Sequence, residues 1–306
     1  MVALRSLSEE VANAKRRTNL NIFYAAFLFV LLDLTESGAN CWKVHVEGAK
    51  KMLDFEDREV SSSWSSVFEQ IADEIFIRYD RIDPISAWWC GVPSTRPWSC
   101  PSEIITALQS IASQRWAGYV ADTPTSKPMH THKELSGILT SLHRIRDFDP
   151  HVWATYMNGV GHVASSRFHD LLLHSSKIWK LTADIYATRV YRSLTKDISI
   201  AVPSVDELIQ EFAFLGAHDR VEKDLIWPTF IIGAECTREN QRNWVIAMME
   251  KIWQITFSAN CKNAAHVLKG LWKKQDLFRS TQGTRDPDGW DWITEISLLD
   301  DHWILY

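Results

Sequence analysis

An all-α fold, built as a single irregular multi-helix domain over residues 1–306, is the architecture this chain predicts. Three observations predict it. Apolar residues recur at helical spacing along most of the chain, recognisable caps punctuate those runs, and strand alternation is scarce. Neither an internal repeat nor a long flexible linker divides the sequence, and the Trp-rich tail from residue 280 to 306 is expected to pack on the same domain.

The elements follow in order. Ser8 to Leu34 begins polar and becomes apolar all round, as a core helix does. Gly38 and Asn40 break it, and a second helix from Cys41 to Leu53 sets Trp42, His45, Val46 and Ala49 on one face. A third runs from Trp64 to Tyr79, ahead of a Pro-rich aromatic loop over residues 80–101. Pro101 suits a helix start and Glu103 its first turn, so the next helix should reach about Trp116. A polar loop from Ala121 to Thr131 precedes a helix over His132 to Arg146. The long helix from Ser165 to Leu194 carries Ile178, Leu181, Ile185 and Leu194 toward the core. Ser204 and Glu207 have capping-box spacing, and Gly216 reads as a helix end. In "LIWPTFIIGAEC", Pro228 lacks an N–H and its ring presses on the carbonyl four residues earlier, which predicts a kinked core helix. Helices over Arg238 to Phe257 and Asn260 to Leu277 complete the series.

Composition narrows the function. The net charge of −5 gives no global attraction for phosphate backbones, and the short cluster Lys15-Arg16-Arg17 reads as a solvated helix face. The apolar run from Ile22 to Leu32 falls short of the ~20 residues of a membrane span and lacks a signal peptide's context. Five widely spaced cysteines with no C-x-x-C predict reduced, mostly buried thiols in an intracellular protein of the cytoplasm or nucleus. Nucleotide-binding, flavin and metal-hydrolase motifs are missing, so neither a cofactor nor a metal is expected.

Several stretches resemble the fungal-specific transcription factor domain, the regulatory region that follows a binuclear zinc cluster. "LLDLTESGANCWKVHVEGAKKML" is similar to a helix pair of that family through Glu36, Trp42, His45, Gly48 and Ala49. "ADIYATRVYRSL" looks like its long helix. "LIWPTFIIGAECTRENQRNW" resembles its L-x-W-P run leading to G-x-E and an arginine, here Leu225, Trp227, Pro228, Gly233, Glu235 and Arg242. "GLWKKQD" is similar to a late helix. The likeness extends from about Asn19 to Asp276. It implies an all-α regulatory fold and no particular reaction. The six-cysteine zinc cluster through which that family reads DNA is absent from these residues, so direct nucleic-acid binding is not expected.

Candidate site residues are few. The 15 tryptophans exceed an ordinary core's need. Trp88 and Trp89, with Trp42, His45 and Trp227, are candidates to line a pocket for an apolar ligand, against the plainer reading of packed rings. His45, Asp80 and Asp83 are weak catalytic candidates, because imidazole titrates near neutrality and paired carboxylates can split acid and base roles. Turn capping and ion pairing account for the two aspartates more simply. His130 and His132 read as solvent-exposed, and the GVGH stretch from Gly159 to His162 is too short to cradle a phosphate. Glu235 and Arg242 are expected to form a buried pair tying two helices.

Two functions fit. One is a regulatory protein of secondary metabolism that binds an apolar small molecule or a protein partner and lacks its own DNA-binding module. The other is a cofactor-free cyclase or isomerase, of the pericyclase or Diels-Alder type, that reuses the same pocket on a polyene.

Overall fold

The computed structural model describes residues 100–120, 131–160, 165–215, 225–257, 259–282 and 289–297. The helices read before residue 100 lie outside the described residues. So do Trp42, His45, Asp80, Asp83, Trp88 and Trp89.

Every regular element among the described residues is a helix, which makes the fold all-α. They are α1 (Ser102–Val120), α2 (His132–Asp147), α3 (Pro150–Val160), α4 (Ser166–Thr195), α5 (Val205–Leu215), α6 (Ile226–Glu235), α7 (Glu239–Thr256), α8 (Ala259–Gln282) and α9 (Trp292–Ser297). None is long and apolar enough to cross a membrane.

The 30-residue α4 is the axis. Ser165 caps it by accepting from the Phe168 amide at 3.1 Å, and Lys196 ends it in the left-handed region. Around it pack α1, α2, α3, α5, α6 and α9, while α7 and α8 pair with one another and with α6. One continuous apolar core joins α1 to α9, from Ile104 and Leu108 through Ile178 and Ile185 to Trp292 and Ile296. A smaller cluster, Ala154, Leu172 and Leu173, seats α3 on the N-terminal part of α4.

Cap chemistry accounts for several boundaries. At α2, Thr131 and Glu134 form a capping box: the Glu134 amide donates to Thr131 Oγ1, and the Thr131 amide donates to the Glu134 carboxylate at 2.7 Å. His132 is therefore the exposed first residue of a helix, and His130 lies outside the described residues. Ser204 does cap α5, but its hydroxyl accepts from the amide of Asp206 at 3.2 Å. The expected partnership with Glu207 is not the observed bond. Asp206 is instead held by Arg238 and Gln241, which ties α5 to the start of α7.

The expected kink at Pro228 is corrected. Helix α6 starts at Ile226, so the proline is its third residue and stands in the first turn. Amides of a first turn have no intrahelical acceptor, and the carbonyl four residues earlier precedes the helix. The proline thus fits a helix start and breaks nothing.

Candidate functional site

The W-P-x-x-x-x-G-x-E stretch lies within the apolar core of the described residues. All ten residues of α6 are buried, which explains its apolar character on every side. Each residue of the motif meets a different neighbour.

Trp227 is fully buried and stacks on Trp179 of α4, with ring centroids 5.6 Å apart and planes 8° from parallel. Tyr186, about two turns further along α4, meets the same indole edge-on at 5.8 Å. Both are geometries that ring quadrupoles favour. Thr229 donates to the Leu225 carbonyl at 2.7 Å and so satisfies its own buried hydroxyl within the helix.

Gly233 permits close approach. A Cβ built there would stand 2.5 Å from Leu268 Cδ1 and 3.0 Å from Val245 Cγ1. The absence of a side chain therefore lets α6 lie against both α7 and α8. The Gly233 carbonyl also accepts from Trp272 Nε1 of α8 at 2.8 Å. Gly233→Ala is expected to cost about 1–3 kcal/mol as overpacking, read as a lower denaturant midpoint with unchanged slope.

Glu235 closes the helix with three charge-assisted or polar contacts. Arg189 of α4 donates to it bidentately, Nε to Oε1 and Nη2 to Oε2, both at 2.6 Å. Trp292 Nε1 of α9 donates to Oε1 at 2.5 Å. The expected pairing of Glu235 with Arg242 is therefore corrected. Arg242 turns the other way and grips Asp276 of α8 at 2.8 and 2.7 Å, with Gln275 at 2.6 Å. Its guanidinium carbon also lies 5.4 Å from the Trp272 ring centroid. Cys236, in extended conformation, redirects the chain between them, so Glu235 faces α4 while Arg242 faces α8.

A second strut runs from α2 to α4. Arg146 donates to both oxygens of Asp184 at 2.9 and 2.8 Å, and also to the Ala201 carbonyl at 3.1 Å. Near the far end of α4, Asp291 accepts from Ser193 at 2.7 Å and from Thr294. Burial alone would raise the Asp291 carboxyl, but these hydrogen bonds and nearby Lys196 outweigh it and hold it below the usual range.

The cysteines are quiet. Cys100, Cys236 and Cys261 are buried and form no disulfide with one another, whereas Cys41 and Cys90 lie outside the described residues. Burial, reinforced by the Glu235 charge, pushes the Cys236 thiol up to about 12, and burial pushes Cys261 up to about 11. In the unfolded chain these thiols ionise first, near 9.0. Their contribution to stability is thus complete below that pH and is lost as pH rises toward the folded values. A Cys236→Ala/Cys261→Ala variant should show a shallower fall in melting temperature between those limits than the parent chain. In the native parent, Cys236 and Cys261 should resist a thiol-titrating reagent at neutral pH, read residue by residue by mass spectrometry.

The described residues contain no group of three His, Cys, Asp or Glu that could hold a metal ion. Of the ligand-lining candidates only Trp227 is described, and it stands in the core with no exposed surface. Arg189 and Trp292, which satisfy Glu235, were not singled out from the sequence. The signal available for Arg189 was a charge set close to Ile185, Tyr186 and Val190 in a long helix, because a buried charge requires a partner.

These features define an all-helical scaffold clamped at one buried apolar helix by the tryptophan, glycine and glutamate of its motif. The sequence profile of the fungal specific transcription factor domain matches residues 98–306, more than half of the chain, and the chain belongs to that family. It is also similar to the acriflavine sensitivity control protein acr-2 of Neurospora crassa, at 20% identity over 324 aligned positions. That alignment takes in 96% of this chain and 52% of acr-2, so the chain spans about half the length of this relative. No solved structure matches the chain.

Proposed function

We propose that this chain is a ligand-responsive regulatory module of fungal transcription, linked to secondary metabolism. The observation that carries the reading is the family match across residues 98–306. The name of acr-2, a control protein for sensitivity to acriflavine, supports a response to a small molecule. In this reading the ligand is apolar, and Trp42, His45, Trp88 and Trp89 provide its aromatic and polar contacts. Trp227 serves by packing α6 on α4, since its ring is enclosed.

Disruption of the gene tests the regulatory reading. A coordinated fall in the transcripts of one set of genes is expected. Unchanged transcripts with one accumulated, uncyclised precursor would overturn it and point to the cyclase. A Trp88→Ala/Trp89→Ala chain is expected to keep its melting temperature and lose the transcriptional response. Collapse of folding in that variant would mark both rings as core.

A further inference from the structure

The outward face of α8 carries a feature that the small-molecule reading does not use. Lys262, His266, Lys269 and Lys273 are all exposed and follow one another at spacings of four, three and four. They form one stripe roughly 17 Å long at a rise of 1.5 Å per residue. Lys269 and Lys273 make no ion pair with a described residue. Asp276, about one turn beyond Lys273, is already held by Arg242 from α7. In a chain of net charge −5, this is a local excess of positive charge.

Apolar groups flank the stripe at both ends. Leu277, one turn beyond Lys273, is 65% exposed. At the other end Lys262 Nζ lies 3.6 Å from the Trp253 ring centroid, and Trp253 meets Phe257 edge-on at 6.2 Å. Phe257 is 74% exposed. Beside the lysines, Gly270 is exposed mid-helix, and a Cβ there would meet nothing within 4 Å. A glycine in that position costs about 1 kcal/mol of helix stability relative to alanine, and no contact with the described residues requires it. Its missing side chain leaves a partner's backbone free to come close.

We propose that this face of α8 docks an acidic amphipathic segment of a partner protein. The segment's Asp and Glu would lie along the lysines, and its apolar residues would cover Phe257 and Leu277. Charge complementarity selects the acidic partner. The apolar ends favour a polypeptide over a phosphate backbone, which uses cations alone.

The test is fluorescence anisotropy of a labelled acidic peptide, with Asp and Glu interleaved with Leu and Phe, titrated with the full chain. Lys269→Glu/Lys273→Glu is expected to weaken binding on the order of tenfold, because two attractions become repulsions. Leu277→Asp should weaken it as well, while Lys269→Arg/Lys273→Arg should retain it. All three variants should melt like the parent, since these side chains are exposed. Absence of peptide binding, or binding indifferent to the charge reversal, would overturn the proposal. So would tighter binding to a labelled DNA duplex, or a charge reversal that acts only by dissolving a self-associated form in sedimentation.

Discussion

Trp227→Ala should remove a large share of the folding free energy, about 3–5 kcal/mol, the usual cost of deleting a buried aromatic side chain. A domain's whole stability is about 5–15 kcal/mol, so this variant should sit near the limit of folding at ambient temperature. The expectation follows from position. The indole is fully buried, stacked on Trp179 and edged by Tyr186, and both of these α4 rings would face the resulting void. Chemical unfolding monitored by circular dichroism measures the loss. A change under about 1 kcal/mol would mean the ring lines a collapsible or solvent-filled space, in conflict with its enclosure between α6 and α4.

Glu235→Ala should cost a comparable amount by a different route. The substitution deletes little apolar surface but strands the Arg189 guanidinium, whose side chain is only 16% exposed. Removing one partner of a buried pair costs about 3–5 kcal/mol, since the remaining charge is left unpaired in a poorly solvated site. Trp292 Nε1 loses its acceptor in the same variant, and with it the polar tie between α6 and α9. Glu235→Gln, which keeps one carbonyl acceptor, should fall between parent and alanine in the same unfolding measurement.

The long elements were legible in the sequence because burial writes a helical period onto them. Helices α2 and α4 start and stop within about two residues of their expected bounds, where cap residues stand beside strong apolar runs. The short α3 was missed, because its contact face is marked by Ala154 with the partly buried Trp153 and Met157, too weak a stripe to show periodicity. Its local signals were present: Pro150 opens it, and Asp149 Oδ1 accepts from the amides of His151 and Val152 at 2.8 and 3.2 Å. The W-P-x-x-x-x-G-x-E stretch was recognisable as a unit, but the partners of its residues were not. Glu235 and Arg242 are close in sequence, yet each finds its partner more than thirty residues away, on a helix that periodicity alone cannot orient. The proline misled for a related reason. A proline in an apolar run reads as an interruption until the start of the helix is known, and here the start lies two residues before it.

The motif around α6 is a structural clamp whose members act on one another. The most direct test is a double-mutant cycle on Arg189 and Glu235, with both single alanine variants, the double variant and the parent unfolded in denaturant. The double variant should be less destabilised than the sum of the singles, with a coupling of at least about 1.5 kcal/mol, because removing both members leaves no stranded charge. Additive losses, agreeing within about 0.5 kcal/mol, would contradict it.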